Sequence, residues 1–223
     1  MEPDKLLKKI TNAPMRLKWT FMSTIVAGML SHGFVFTNKL PNSDDLLNIR
    51  AYGGGISHGC WLKGLMGPVI SKFTGNYTNP WIIGVISIVL IAAAACFIVE
   101  ALEIKSIAAA GVTGALIVSF PALTGSFLFM YMSAYFALAV FMISGGVWLL
   151  ATEKRWIYIV AGVLLISCSM GIYQAYFPLA AGLLLISLIR KCLCESDAAK
   201  QILKRALAYF GYLAAAMGGI FCC

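Results

Sequence analysis

A chain of 223 residues that is 61% hydrophobic and only 12% charged, with a mean hydropathy of +0.87, has more apolar surface than a water-soluble interior of this size can hide. An ordinary soluble domain is excluded, and the bilayer is the natural solvent. The net charge of +8 lies in short patches between apolar runs, which is the pattern of membrane topology and not the clustered basic face of a nucleic-acid binder.

Residues 1–18 read as a basic, partly amphipathic cytoplasmic segment drawn to the anionic inner leaflet. From 19 to 223 the chain reads as one transmembrane domain. Apolar runs at 19–37, 80–99, 106–121, 127–150, 156–172, 176–190 and 206–222 make an all-α polytopic bundle of about seven spans. Ser31, His32 and Gly33 interrupt the first run, and the third, fifth and sixth are short. A basic start before an apolar run also fits a signal peptide. However, no small-x-small site follows and the run continues through Phe34, Val35 and Phe36, so an uncleaved first span is expected. Of the 17 Lys and Arg, only Lys39, Arg50, Lys63 and Lys72 fall outside when the N-terminus is cytoplasmic. The positive-inside rule therefore predicts a multi-pass inner (plasma) membrane protein in that orientation. The abrupt end after an apolar run reads as the front part of a longer protein. The seven cysteines show no zinc-type spacing and read as small apolar fillers or free thiols.

Residues 38–79 become a polar first extracytoplasmic loop, and Asp44 and Asp45 are the only acids expected outside. A carboxylate beside the lipid headgroups can act as general base toward a sugar hydroxyl, or help hold a metal near a phosphate. "NSDDLL" also fits a helix N-cap, the commoner role for such a pair. His58 is a candidate base, ligand or phosphate contact, although a lone loop histidine more often hydrogen-bonds at the surface. Lys39, Arg50 and Lys63 are candidates for pairing with a lipid phosphate, with interfacial snorkelling an equally common role. Gly53 to Gly55 allow a tight turn but form no phosphate-binding loop. Trp61, Leu62, Leu65, Met66, Val69, Ile70 and Phe73 share a face at helical spacing. They predict an amphipathic helix lying at the membrane surface, with Lys63 and Lys72 on its polar side and a kink at Pro68. No inner loop carries a nucleotide fingerprint.

Two short connections, "SFPALTGSF" (119–127) and "GIYQAYFP" (171–178), emerge on the same side as the acid pair. Tyr173, Gln174 and Tyr176 offer hydroxyls, an amide and stacking faces suited to a sugar ring. An aromatic belt at headgroup level explains single tyrosines as well, but it explains Gln174 less well.

A basic inner start, one span, "NKLPNSDD", then Gly59-Cys60-Trp61-Leu62, and later the "FP" and "YQAY" hairpins occur in order. Over roughly residues 15 to 190 this resembles the GtrII-type glucosyltransferases of bacterial membranes and, more distantly, the GT-C superfamily. The resemblance implies an enzyme that takes a sugar, glucose by analogy, from a polyprenyl-phosphate donor. It passes the sugar to a cell-envelope glycan such as O-antigen on the extracytoplasmic side. Asp44 or Asp45 would deprotonate the acceptor, and cationic side chains would stabilise the phosphate leaving group. It implies the bilayer, donor and acceptor as partners, and no nucleic acid. A divalent metal is left open as cofactor, with no ligand cluster to argue for one. A transporter or flippase is the alternative, but it would need charges in mid-span, and none lies near a predicted centre. A non-catalytic membrane subunit is the third reading.

Overall fold

The structure is a computed structural model that describes residues 12–38, 43, 60–74, 79–152, 155–194 and 199–221. Those residues fold entirely as helices and their connections. In chain order the helices are α1 (Met15–Asn38), α2 (Trp61–Thr74), α3 (Pro80–Ala101), α4 (Ile107–Ser119), α5 (Pro121–Phe127) and α6 (Met130–Thr152). There follow α7 (Trp156–Ile172), a 3₁₀ turn (Gln174–Tyr176), α8 (Phe177–Cys194) and α9 (Ala199–Phe221).

Local chemistry sets the boundaries. Asn79 caps α3, its side chain accepting from the Ile82 N–H, and Pro80 supplies a first-turn residue with no donor to satisfy. Ser106 caps α4 in the same way through the Ala109 N–H. The α3 C-terminus closes with Ile104 N–H on Val99 O, which requires a left-handed residue, and Glu103 takes that role at φ 49°. Phe120 precedes Pro121 and is extended (φ −65°, ψ 135°), because proline disfavours the helical region for its predecessor. The chain therefore breaks after Ser119 and restarts at Pro121 with a 49° bend.

Each run expected to span coincides with a helix, but their membrane credentials differ. Four helical stretches are long and apolar enough to cross: Met15–Asn38, Pro80–Ala101, Met130–Thr152 and Gln174–Cys194. The bent pair α4–α5 makes a fifth if it is counted as one span. α7 has only 17 residues, about 25 Å of helix against a hydrocarbon core of about 30 Å. α9 opens with Lys200, Lys204 and Arg205 and does not meet the same standard of length and hydropathy.

α1 packs on α3 and α4, α3 on α6, and α6 on α7, while α8 and α9 close against this row. The contacts fix directions. Arg16 at the start of α1 binds Glu100 at the end of α3 at 2.6 Å, so those two helices are antiparallel. Ser23 donates to Gly111 O at 2.8 Å, and His32 Nε2 lies 2.9 Å from Val118 O, so α1 and α4 run parallel. Small residues allow the closest approaches. A Cβ on Gly146 would sit 2.8 Å from Gly162 O, so α6 and α7 meet backbone to backbone.

One end of the bundle therefore gathers Arg16, Glu100, Glu103, Arg190 and Lys191. The last two bind Glu103 (2.5 Å) and Ala151 O (2.8 Å). The opposite end gathers His32, Phe36, Trp81, Phe127, Tyr173 and Tyr176.

Candidate active site

At the end opposite the ion pairs, the break between α4 and α5 faces the turn between α7 and α8. The Ser126 and Tyr176 hydroxyls lie 3.2 Å apart, joining the two hairpins that the sequence placed on one side. Beneath them is a cavity of about 780 Å³. Its lining runs from Phe120, Ser126 and Tyr176 at the hairpins inward to Ile117, Val140 and Leu183. The lining is overwhelmingly apolar, with hydroxyls supplied by Thr113, Ser126, Tyr173 and Tyr176. A cavity of this size suits a small-molecule or lipid ligand. Tyr173, Tyr176 and Phe136 frame the mouth as an edge-to-face cluster, with ring centroids 4.9 to 6.3 Å apart.

His32 buttresses this end. It is 2% exposed and stacks on Phe127 at 4.2 Å. Val118 is among the last residues of α4, so its carbonyl has lost the helical donor it would otherwise meet. A carbonyl only accepts, so His32 Nε2 carries the proton and donates to it. A broken helix inside a membrane protein needs such a donor for its freed backbone groups.

α2 docks on the same end. Leu62, Met66 and Ile70 join Met132, Tyr135, Phe136 and Ile172 in one apolar cluster that also touches Tyr176. The Trp61 indole covers Gly171, where a Cβ would come within 2.5 Å of its ring. Lys63, expected on a polar face, is only 7% exposed, while Leu65 and Val69 are exposed. The amphipathic pattern fails here because, in lipid, an apolar side chain gains little by turning toward protein. The helix runs through Pro68 without a break.

Of the residues singled out in the sequence, Trp61, Lys63, Tyr173, Gln174 and Tyr176 are brought to this end. Tyr173 and Tyr176 line the cavity, and Gln174 is exposed in the turn between them. Asp44, Asp45, Lys39, Arg50 and His58 lie outside the described residues. Ser126, Phe136 and His32 were not singled out as site residues. The break signalled by "FP" in front of Ser126 was the one available hint. Among the described residues no group of three or more His, Cys, Asp or Glu could hold a metal. Cys60, Cys96, Cys168, Cys192 and Cys194 are free thiols.

The family model for glucosyl transferase GtrII matches residues 33–223. The chain belongs to the GtrII glucosyltransferase family. No curated protein and no solved structure matches it. GtrII membership points to a membrane glucosyltransferase, and hence to a sugar donor and an acceptor. The match reaches beyond the resemblance seen in the sequence motifs and takes in all of α8 and α9. In this GtrII chain it begins beside His32 and covers every residue of the cavity lining.

Proposed function

We propose that the chain transfers glucose from a polyprenyl-phosphate donor to a glycan of the cell envelope on the extracytoplasmic face. In this reading the N-terminus is cytoplasmic and all seven long helical stretches cross the membrane, α4 and α5 as one bent crossing. The basic cluster at Arg16, Arg190 and Lys191 then faces the cytoplasm, as the positive-inside rule asks. The observation that carries the proposal is the apolar cavity under the Ser126–Tyr176 contact in a GtrII chain. A lipid-linked donor needs an apolar recess next to a polar, aromatic rim.

The chemistry follows from the residues assigned. Asp44 or Asp45 accepts the proton of an acceptor hydroxyl as that oxygen attacks the anomeric carbon. The bond from that carbon to the phosphate oxygen breaks, and polyprenyl phosphate leaves with the electron pair. Lys39, Arg50 and Lys63 offset the charge that develops on the phosphate. Tyr173, Gln174 and Tyr176 hold the sugar by stacking and hydrogen bonds, with His58 and Trp61 beside them. The energy comes from the phosphate ester, so the reaction needs no nucleotide site.

The test is sugar transfer in membranes supplied with polyprenyl-phosphate glucose. Asp44→Asn and Asp45→Asn are compared with the parent chain at equal membrane insertion. One of them should lose transfer by about a hundredfold or more, as removal of a general base does. Full activity in both variants would remove the assignment.

A further inference from the structure

Two helices flank the cavity without closing on each other. α4 packs on α1 and α3, whereas α8 packs on α6 and α9, and the space left between α4 and α8 is the cavity. Thr113 and Ile117 of α4 line one wall, and Leu179 and Leu183 of α8 line the other. Close to them on the same helices, Val112, Leu116, Leu185 and Ile186 are exposed, and in a chain that crosses the membrane such residues meet lipid. A slot between two lipid-facing helices is a side entrance from the bilayer.

The two ends of the slot are held unequally. At the ion-paired end, Arg190 binds Glu103 behind α3, and Lys191 donates to Ala151 O of α6 at 2.8 Å. At the aromatic end each rim is anchored to its own side. Phe127 of α5 stacks on His32 and packs on Phe36, both in α1. Tyr176 packs on Phe136 of α6 and on Tyr173. A hydrogen bond crosses between the rims, and it joins two neutral hydroxyls, Ser126 and Tyr176, at 3.2 Å. Tyr176 and Leu179 also touch the apolar cluster around Phe127, but lipid tails replace such contacts at little cost. A charge-assisted contact is worth roughly twice a neutral one. Exposure weakens the Glu103 pair, yet it and the Lys191 contact together outweigh the hydroxyl bond. α8 is therefore pinned at its C-terminal end and lightly latched at its N-terminal end. Tyr173, extended between α7 and the 3₁₀ turn, is the joint that a swing of α8 needs.

We propose that the Ser126–Tyr176 hydrogen bond latches a side gate between α4–α5 and α8. The gate opens by a swing of α8 about its ion-paired end and admits a long-chain lipid from the bilayer into the cavity. This rests on the reading of the cavity as the recess for a lipid-linked donor and deepens it, because it says how the chain enters and what limits its exchange.

The experiment reads distances by double electron–electron resonance in the full chain in lipid nanodiscs, with spin labels on unnatural amino acids so that the native thiols stay. One pair, Thr124 on α5 and Ala175 in the turn, spans the latch; the other, Ile107 on α4 and Leu193 on α8, spans the pinned end. All four positions are exposed. Ser126→Ala should raise the ratio of long to short Thr124–Ala175 distances by about fivefold, as loss of one hydrogen bond does, and leave Ile107–Leu193 unchanged. The unchanged pair also shows that the variant is folded. Arg190→Gln should broaden Ile107–Leu193 instead. An unchanged latch distance in Ser126→Ala, or equal widening at both ends, overturns the gate. Exchange of dansyl-tagged polyprenol, followed in stopped flow by energy transfer from the tryptophans, tests what passes through. Ser126→Ala should speed entry and exit alike, by about fivefold, and keep the affinity within about twofold. A change in exit alone assigns Ser126 to contact with the lipid and overturns the gate, as do unchanged rates. A parent chain that takes up no tagged polyprenol overturns lipid entry. A parent chain that gates and exchanges polyprenol as described but transfers no sugar refutes the reaction and leaves the gate standing.

Discussion

Gly171→Ala tests how α2 is held. A Cβ at this position would lie 2.5 Å from Trp61 Cε2 and 2.6 Å from Nε1, whereas carbon contacts settle at about 3.5–4.0 Å. The rigid indole must therefore retreat by about 1 Å, and the first turn of α2 must move with it. Overpacking of this kind costs about 1–3 kcal/mol. Exchanging glycine for alanine in a helix returns up to about 1 kcal/mol, so α7 itself is not weakened. Thermal unfolding in detergent should shift by a few degrees at most, while glucosyl transfer in vesicles falls much further. Displacing a positioning element by about 1 Å can cost on the order of a hundredfold in rate. The cause is isolated by a double-mutant cycle with Trp61→Leu. Without the indole the alanine methyl has room, and its added penalty in stability and binding should shrink to within about 0.5 kcal/mol of zero. Wild-type transfer in Gly171→Ala, or an equal penalty with and without Trp61, would refute the reasoning.

Three further outcomes follow from the same packing. His32→Leu strands the Val118 carbonyl at the α4 break and should destabilise the protein by about 1–3 kcal/mol in thermal unfolding. His32→Gln, which can still donate, should recover part of that loss. Ser126→Ala and Tyr176→Phe should each cost about 1 kcal/mol, and the double variant should cost less than their sum, as expected for one shared hydrogen bond measured by a thermal cycle. At Glu103, glycine should leave stability within about 0.5 kcal/mol of the parent, because relief of the left-handed backbone offsets loss of the part-exposed ion pair to Arg190. Valine at that position should cost about 2 kcal/mol by the same assay, since a β-branched residue resists φ 49°.

The helices were legible because their cause is local. Long apolar runs, Asn79-Pro80, Ser106 and the Phe120-Pro121 step act within a few residues of themselves, and each sits where the chain turns. Crossing is a weaker inference than helix formation. α7 is about one turn short of the hydrocarbon core and α9 begins with cations, so seven apolar runs reduce to four or five stretches that qualify by length and hydropathy. The site was legible only in part. "SFPALTGSF" and "GIYQAYFP" could be assigned to one end from alternation of crossings. The contact between Ser126 and Tyr176 spans 50 positions, and no periodicity encodes it. Lys63 was misassigned for a physical reason. Helical patterning assumes that polar groups seek solvent, and that assumption fails where lipid makes the outward face apolar.

Ion pairs at one end and aromatic rings at the other make the two ends of the bundle chemically unlike. At the charged end, Arg16, Arg190 and Lys191 all have acceptors, two of them carboxylates, which fixes the relative heights of α1, α3, α6 and α8. At the other end, Lys63 is largely buried and the Trp61 indole N–H has no acceptor among the described residues. Packing alone does not favour this arrangement, since a methionine or a phenylalanine would fill the same volumes without a desolvation penalty. Both ends keep buried donors without acceptors among the described residues, Arg16 Nε and Arg190 Nε at the one and Trp61 Nε1 at the other, so it is not unsatisfied donors that set the ends apart. What sets the Trp61 end apart is the apolar cavity under the Ser126–Tyr176 contact, and it is on that observation that we propose substrate recognition there.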